Sequence, residues 1–363
     1  MIFNITLKQF RKNSKMFHMQ KITRIIKQIM KWAVAVFIAA FICNALCFAF
    51  YDPCQELTRE HGATTGYLLP DSHGVYGLEG YCIANIDRYG YVNRDMPRSD
   101  DYYVVAGASH TEGLFIPEKL RYSDRLNDML YDDGNLHFIN IARSGNYFSV
   151  VLQHLDGILG EFPDAKGIII ETDSLAYDTK ALYDSMAQAG YDPDETAGAL
   201  LSGLSTRGRM SIKVKQALPL LRLLHKQYYT FRESRSSDDG GTDILDPDFW
   251  QSEYDGDFET ALSDLMGYIR SRTDKQVIIL YHPAIRLEAD GTMKVLTNNA
   301  EPYYKKVCAA NDIDFVDMTD RFLLEYNERN IIPYGFANTT PGDGHVNRAA
   351  HEMMAEELAK VIR

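Results

Sequence analysis

Hydrophobic residues are distributed differently in two parts of the chain. Residues 32–51, WAVAVFIAAFICNALCFAFY, contain no charged side chain, and Asn44 is their only strongly polar residue. At a rise of about 1.5 Å per residue, a helix of this length spans a hydrocarbon core roughly 30 Å thick. The pattern therefore predicts a membrane-spanning helix, which we expect to be retained as a signal anchor.

Three other interpretations of this apolar run remain open. A signal peptide would be cleaved, but no small-x-small cleavage site follows the run at once. A lipoprotein signal ending at Cys47 would normally have an aliphatic residue at position 44, where this chain has asparagine. A buried core helix is the third alternative, and the one-sided charge around the run argues against it.

Charge changes sign across the apolar run. Residues 1–31 carry eight basic side chains and no acidic one, and the rest of the chain carries 30 basic and 50 acidic side chains. Because basic flanks favour the cytoplasmic side, we expect residues 1–31 to be cytoplasmic and the remainder to lie outside the cytoplasm. The acidic remainder would repel phosphate, so nucleic-acid binding is not expected.

From residue 102, short apolar runs alternate with segments that have apolar residues at helical spacing. The predicted strands are YYVVAG (102–107), LHFINIA (136–142), KGIIIET (166–172), QVIILYH (276–282) and IDFVDM (313–318). The predicted helices cover 121–133, 147–162, 301–312 and 347–363. This alternation predicts a mostly parallel sheet with helices on both faces.

Two regions depart from this alternation. Residues 52–100 are rich in Gly, Tyr, Asp and Pro, and we interpret them as a lead-in to the main domain, 101–363. Residues 175–270 separate the third and fourth predicted strands, and we interpret them as a mostly helical insertion. This insertion would form a lid, bind a partner, lie against the membrane surface or simply cover the sheet.

Cysteine usage gives little information about cofactors. Cys43 and Cys47 fall in the apolar run, whereas Cys54, Cys82 and Cys308 lie beyond it. A disulfide between Cys54 and Cys82 would be permitted outside the cytoplasm, although the sequence does not fix the pairing. No His/Cys cluster has metal-site spacing, so neither a metal nor another cofactor is expected. The oligomeric state is not specified.

The first predicted strand ends in VVAGASHTEG, residues 104–113. A serine after a strand is usually a helix N-cap, but open parallel sheets also bind ligands at the carboxyl ends of their strands. As a nucleophile, Ser109 needs a base, and histidine is the usual one. His345 is the best candidate. Asp343 would orient it, because residues i and i+2 of an extended segment point the same way.

Other strand ends supply candidate oxyanion donors. A tetrahedral intermediate needs preorganised hydrogen-bond donors for its charged oxygen. The backbone N–H groups of Ser109 and Gly145 are the expected donors, with the side chain of Thr172 or Asn146 as a third.

Asp173 and His282 also end predicted strands and are expected to line the cleft. His110 is expected to be a supporting or surface residue, because adjacent side chains diverge.

Three segments resemble the sequence blocks of the SGNH (GDSL-type) hydrolases. They are GASHTEG (107–113), NIARSGN (140–146) and DGHVN (343–347), and they occur in the family's order. The stretch HVNRAAHEMMAEEL also resembles the helix after the last block in membrane-anchored, polysaccharide-modifying members. The resemblance implies a flavodoxin-like three-layer α/β/α fold and acyl-ester chemistry, with Gly145 as the oxyanion glycine.

Two positions depart from the family's pattern. Ala108 stands where the first block usually has Asp, and Thr172 stands where the third block usually supplies an oxyanion Asn. Either Thr172 donates, or Asn146 substitutes for it, or the site is weaker than usual.

The location and the resemblance together imply an extracytoplasmic esterase that removes O-acyl groups, with O-acetyl as the expected case, from a cell-envelope glycan. An O-acyltransferase that uses the same triad on a cell-surface polysaccharide is the first alternative. A non-catalytic glycan-binding or assembly protein on a degenerate SGNH scaffold is the second.

Overall fold

The protein begins with one long helix, α1 (Ile2–Phe50). The computed structural model describes residues 2–58, 66–94, 101–134, 136–190, 192, 194, 196–234, 254, 256–296 and 298–362. The segment Lys21–Phe50 is long and apolar enough to cross a membrane, with a mean hydropathy of 2.5 in its most apolar part. The rest of the protein buries 6% of that part. These properties are expected of an anchor, and a signal sequence shares them.

The lead-in folds into short antiparallel strands. They are β1 (Tyr51–Asp52), β2 (Glu56–Thr58), β3 (Tyr67–Leu68), β4 (His73–Tyr76) and β5 (Cys82–Asn85). A three-stranded sheet has the order β1-β4-β5, and β2 pairs with β3. Because β1 starts at the residue after α1, this sheet follows the helix without a linker.

All five cysteines are free thiols, so the disulfide considered between Cys54 and Cys82 is not formed. The Cys82 thiol instead donates to the carbonyl of Ile116 at 3.0 Å.

The main domain is built on a five-stranded parallel sheet. Its strands are β6 (Tyr102–Ala106), β7 (His137–Asn140), β8 (Gly167–Thr172), β9 (Gln276–Tyr281) and β12 (Asp314–Asp317), in the order β7-β6-β8-β9-β12. All five predicted strands are thus confirmed. The order is the flavodoxin-like 2-1-3-4-5 arrangement, whose ligand crevice lies outside the carboxyl ends of the first and third strands.

Helices cover both faces of this sheet, which confirms the three-layer α/β/α fold. One face carries α4 (Phe148–Gln153), α5 (Leu155–Glu161), α6 (Thr179–Ser185), α10 (Gly256–Arg272) and α11 (Glu301–Ala310). The other carries α3 (Tyr122–Gly134), α12 (Thr319–Arg329) and α13 (Arg348–Ala359). Alternate residues of each strand point to opposite faces, so Val104 joins the first cluster and Val105 the second.

The region between β8 and β9 divides into two parts. Helix α10 packs its apolar side onto the sheet, so residues 256–272 are the ordinary crossover helix rather than part of an insertion. The helices α7 (Ala197–Gly203), α8 (Thr206–Ala217) and α9 (Pro219–Ser234) come before it. Helix α9 lies against α1 and against α8, and the last residue of α8, Ala217, is bonded to Asn44 of α1.

A few elements of the structure were not predicted from the sequence pattern. Helix α12 follows β12, and a small antiparallel hairpin, β10 (Ile285–Leu287) with β11 (Met293–Val295), follows β9.

Candidate active site

Ser109 lies at the carboxyl end of the first strand of the central sheet. It begins a four-residue helix, α2 (Ser109–Glu112), whose N-cap is Ala108 and has no side-chain capping bond. The serine is therefore not an N-cap. Its Oγ lies 2.9 Å from His345 Nε2, so the structure brings together the two residues that the sequence pairs as nucleophile and base.

A buried carboxylate fixes the turn before Ser109. Glu171 Oε2 accepts the backbone N–H of Ala108 at 2.9 Å and the hydroxyl of Thr111 at 3.0 Å. A Cβ at position 107 would collide with the same carboxylate oxygen, which explains the glycine there. Glu171 lies on β8, so the third strand of the sheet holds the loop that presents the serine.

The far side of the His345 ring contacts a carboxylate that the sequence did not indicate. His345 Nδ1 lies 2.5 Å from Glu79 Oε2, and both side chains are about one quarter exposed. Glu79 sits in the turn between β4 and β5. The side chain of Asn338 secures this turn, because its amide donates to the carbonyl of Gly77 and its oxygen accepts the N–H of Gly80.

Asp343, expected to orient the histidine, is turned away from it. Its carboxylate is exposed and accepts the N–H of the next residue, Gly344, at 2.8 Å. Gly342 and Gly344 have φ values of +84° and +82°, so this segment is a tight turn and not an extended strand. The alternation rule used for residues 343 and 345 therefore does not apply, and Glu79 takes the place expected for Asp343.

Burial sets the charge of the candidate base. Desolvation lowers the pKa of His345 below its ordinary value, the nearby His110 acts in the same direction, and Glu79 opposes both. A histidine whose pKa is lowered is neutral at pH 7, which is the state that accepts a proton from a serine.

The backbone of the loop at residue 145 favours glycine. Gly145 has a φ of +87°, which disfavours other residues, and a Cβ added there would meet nothing within 4 Å. Glu112 of α2 holds this loop by accepting from the Ser144 backbone at 2.8 Å and from the Arg143 side chain at 3.1 Å. One carboxylate therefore connects the helix that begins at Ser109 to the loop that contains Gly145.

The two candidate side-chain donors differ in their availability. Thr172 donates its hydroxyl proton to the Ser174 carbonyl at 2.6 Å, so this proton is already used inside the turn after β8. The side-chain amide nitrogen of Asn146 is buried and has no hydrogen-bond partner among the described residues. Of these two side chains, Asn146 is therefore the one whose donor is unpaired among the described residues.

His110 and Asp173 form a second pair beside the first. His110 Nε2 lies 3.6 Å from Asp173 Oδ2, and His110 Nδ1 accepts the backbone N–H of Val346 at 3.2 Å. The His110 ring lies 5.0 Å from that of His345 between centroids. Burial disfavours charge on His110, but Asp173 outweighs it and raises the pKa of His110. His110 is thus an internal support that joins α2 to the His345 segment.

The same histidine affects the pKa of its acidic partner. Burial acts to raise the pKa of Asp173, but His110 overcomes it and lowers the value to about 2.

His282, expected to line the cleft, is fully buried beneath it. Its Nε2 lies 2.8 Å from Glu171 Oε1, and its Nδ1 lies 2.8 Å from the Tyr334 hydroxyl. Burial acts against the charge of Glu171, but His282 outweighs it and lowers the pKa of Glu171. His282 therefore keeps ionised the carboxylate that holds the Ser109 turn, without access to a substrate.

Sequence reasoning missed three glutamates that organise the site: Glu79, Glu112 and Glu171. Glu171 had a visible signal, since a charged residue inside the apolar run IIIET needs a buried partner. Glu79 stands between glycines in YGLEGY, which marks a turn but not its destination. Among the described residues, no group of three or more His, Cys, Asp or Glu side chains could hold a metal ion. The expectation that no cofactor is needed stays a prediction.

Comparisons with known proteins find similarity in structure only. No family model matches the chain, and no curated protein matches it. An acetyl xylan esterase shares 14% identity at a TM-score of 0.40, over 72% of this chain and 100% of that one. A member of the lipolytic G-D-S-L family from Veillonella parvula DSM 2008 shares 14% identity at a TM-score of 0.38, over 72% of this chain and 98% of that one.

A third solved structure is a two-domain esterase active on acetylated mannans. It shares 12% identity at a TM-score of 0.37, over 72% of this chain and 48% of that one.

Proposed function

We propose that this chain is a serine esterase of the SGNH type, with Ser109 as nucleophile, His345 as general base and Glu79 as the carboxylate that orients it. The observation that carries the proposal is the continuous contact from Ser109 Oγ to His345 Nε2 and from His345 Nδ1 to Glu79. A serine hydroxyl becomes a nucleophile when a base removes its proton, and a second acidic group holds that base in the required orientation.

The reaction follows from these contacts. His345 takes the Ser109 proton as Oγ bonds to the ester carbonyl carbon, and Glu79 stabilises the imidazolium. The backbone N–H groups of Ser109 and Gly145 and the amide of Asn146 donate to the oxyanion. His345 then protonates the leaving alcohol oxygen, so the ester bond breaks and an acyl-serine remains. Water, deprotonated by His345, releases the acid and restores the serine.

We further propose that the substrate is an O-acylated glycan of the cell envelope, and that residues 52–363 lie outside the cytoplasm. The apolar helix with its basic N-terminal flank supports this placement. Gly145 is exposed and Tyr147 beside it is 49% exposed, so both are accessible to a large substrate. Such a tyrosine offers a flat apolar face and a polar tip to a sugar ring.

A fluorophosphonate probe, which reacts with activated serines, tests the nucleophile. We expect the full chain in detergent to be labelled, and Ser109→Ala to lose labelling while Ser202→Ala keeps it. Labelling that survives Ser109→Ala would refute the assignment. A folded chain that is never labelled would instead support a non-catalytic glycan-binding protein.

Substrate and acceptor need a separate assay. Acetate released from an O-acetylated polysaccharide, measured with and without an unacetylated acceptor sugar, separates hydrolysis from transfer. We expect release without the acceptor. Acetyl transfer to the sugar in place of release would make the protein an O-acyltransferase that uses the same acyl-serine.

A further inference from the structure

Helices α8 and α9 form a hairpin, residues 206–234, whose turn is attached to the apolar part of α1. The side chain of Asn44 accepts the N–H of Leu220 at 3.1 Å and donates to the carbonyl of Ala217 at 3.4 Å. These are backbone groups at the end of α8 and the start of α9, which helices leave unsatisfied. Within residues 32–50, Asn44 and Cys47 are the two residues whose side chains the protein covers.

The position of this contact gives the depth of the hairpin. Asn44 lies seven residues before Tyr51, the end of the apolar run, which is about 10 Å along a helix. Arg222 of α9 lies level with the end of the apolar run, since it pairs with Asp52 and donates to the Pro53 carbonyl at 2.8 Å. The turn of the hairpin therefore lies about 10 Å deeper in the membrane than the end of the apolar run. Interfacial helices bury their apolar faces to a similar depth, roughly 5–10 Å.

Both helices of the hairpin expose an apolar stripe. On α8 and the turn, the exposed residues recur every four positions: Met210, Val214 and Leu218. On α9 they recur at spacings of three and four: Leu221, Leu224 and Tyr228. Leu224 and Tyr228 are 58% and 61% exposed. Such spacing places each set on one side of its helix. The stripe lies beside the exposed apolar surface of α1, so one apolar medium would cover both.

The charge of the hairpin is opposite to that of the domain that carries it. Residues 206–234 contain seven basic side chains and one acidic side chain, while residues 52–363 as a whole contain 30 basic and 50 acidic side chains. A basic helix with an apolar face is suited to an anionic lipid surface, to which each basic residue contributes favourably.

We propose that the 206–234 hairpin is an interfacial membrane element, inserted by its apolar stripe into the outer leaflet beside α1 and held there by anionic lipid headgroups. The proposal rests on the proposed membrane anchor but not on the esterase activity. The hairpin gives the domain a second attachment, so that the domain does not rotate freely about the anchor.

Tryptophan quenching by brominated acyl chains tests the insertion. The full chain, with Trp32→Phe as parent, is reconstituted in vesicles of three parts phosphatidylcholine and one part phosphatidylglycerol. We expect Leu224→Trp to be strongly quenched, relative to the parent. Leu324→Trp, on the exposed face of α12, is the matched control and should not be quenched. Equal, weak quenching of both variants would overturn the proposal.

Two further arms separate the possible outcomes. Replacing Arg207, Arg209, Lys213 and Lys215 by Gln should weaken the quenching of Leu224→Trp in the anionic vesicles; unchanged quenching would overturn the role of anionic headgroups. A blue-shifted but unquenched signal from the Leu224→Trp variant that depends on protein concentration would overturn the proposal in favour of a second copy of the chain. Quenching of Trp32 in the wild type checks the anchor itself, and fluorophosphonate labelling checks Ser109 independently.

Discussion

The edge of the sheet and the 206–234 hairpin differ in which side chains they bury: the first buries charged side chains, and the second exposes apolar ones. Beneath Ser109, two buried carboxylates are engaged, Glu171 with His282 and Glu112 with Arg143, and the half-buried Asp173 contacts His110. On the hairpin, a row of apolar side chains is exposed. Burying charge and exposing apolar surface both cost stability in water. The first is compensated within the protein, whereas the second requires a medium outside it.

The largest expected effect concerns which carboxylate, Glu79 or Asp343, orients His345. Glu79→Gln keeps the shape of the side chain but removes the charge that stabilises the His345 imidazolium, so we expect kcat for a soluble acetyl ester to fall by about 10⁴-fold. Asp343→Asn, the matched control, should retain the wild-type kcat because the exposed Asp343 carboxylate accepts from Gly344 and Glu79 occupies His345 Nδ1. Steady-state kinetics of both variants decide the matter, and an equal loss in the two would restore Asp343 to the triad.

Removal of the buried carboxylate under the site should affect folding as well as rate. Glu171→Ala leaves His282 Nε2 and the Ala108 N–H without the carboxylate, and each buried polar group left unsatisfied costs about 1–3 kcal/mol of unfolding free energy. Thermal unfolding in detergent, followed by circular dichroism, measures this loss. Glu352→Ala removes an exposed partner of Arg125 and should cost about 1 kcal/mol or less. Similar melting of the two variants would contradict the role given to Glu171.

The oxyanion donors can be ranked by a third pair of variants. Asn146→Ala should lower kcat by about 10²–10³-fold, the usual cost of losing one such donor. Thr172→Val should leave kcat close to wild type, because its hydroxyl is used within the turn to Ser174. The reverse ranking of kcat would show that Thr172 is the donor despite this contact.

A smaller effect is expected on the pH profile. The acidic limb of kcat/KM reports protonation of His345, and its midpoint should lie below the ordinary histidine value of 6.5. The Glu79 carboxylate stabilises the protonated ring and so raises this pKa. Glu79→Gln should therefore move the midpoint to still lower pH. A shift to higher pH would show that Glu79 does not act on His345 through its charge.

The smallest effect should come from the hairpin. Lys213→Gln with Lys215→Gln should leave kcat for a soluble ester unchanged, because the hydrogen bonds from the hairpin turn and from Arg222 go to α1 and Pro53 rather than to the edge of the sheet. A marked loss of kcat would show that the two regions are not independent and would favour a lid over a membrane contact.

Local patterns in the sequence were sufficient for the sheet. The strands are continuous apolar runs, and two-sided burial makes such runs recognisable without knowledge of their partners. The pairing of Ser109 with His345 was also predictable, because strand ends in a parallel sheet meet at one edge. These predictions needed only the position of each residue within its own element.

Glu79 could not be placed in this way. It reaches His345 because strands of two to four residues fold the lead-in back over the edge of the sheet, and such short strands have almost no periodic signal. Asp343 failed for a related reason, since Gly342 and Gly344 adopt a left-handed conformation that the alternation rule does not consider. Tertiary contacts and glycine turns decided both outcomes.

The turn between β4 and β5 brings Glu79, the carboxylate of the proposed triad, to His345 from outside the central sheet. A chain that began at residue 101 would keep every strand of the central sheet, together with Ser109 and His345, yet it would lack Glu79. In linear order the carboxylate precedes the nucleophile, although the SGNH pattern places it just before the histidine. Under the proposed mechanism, the acidic group of the triad comes from a distant part of the chain, because its oxygen reaches the same ring nitrogen of His345.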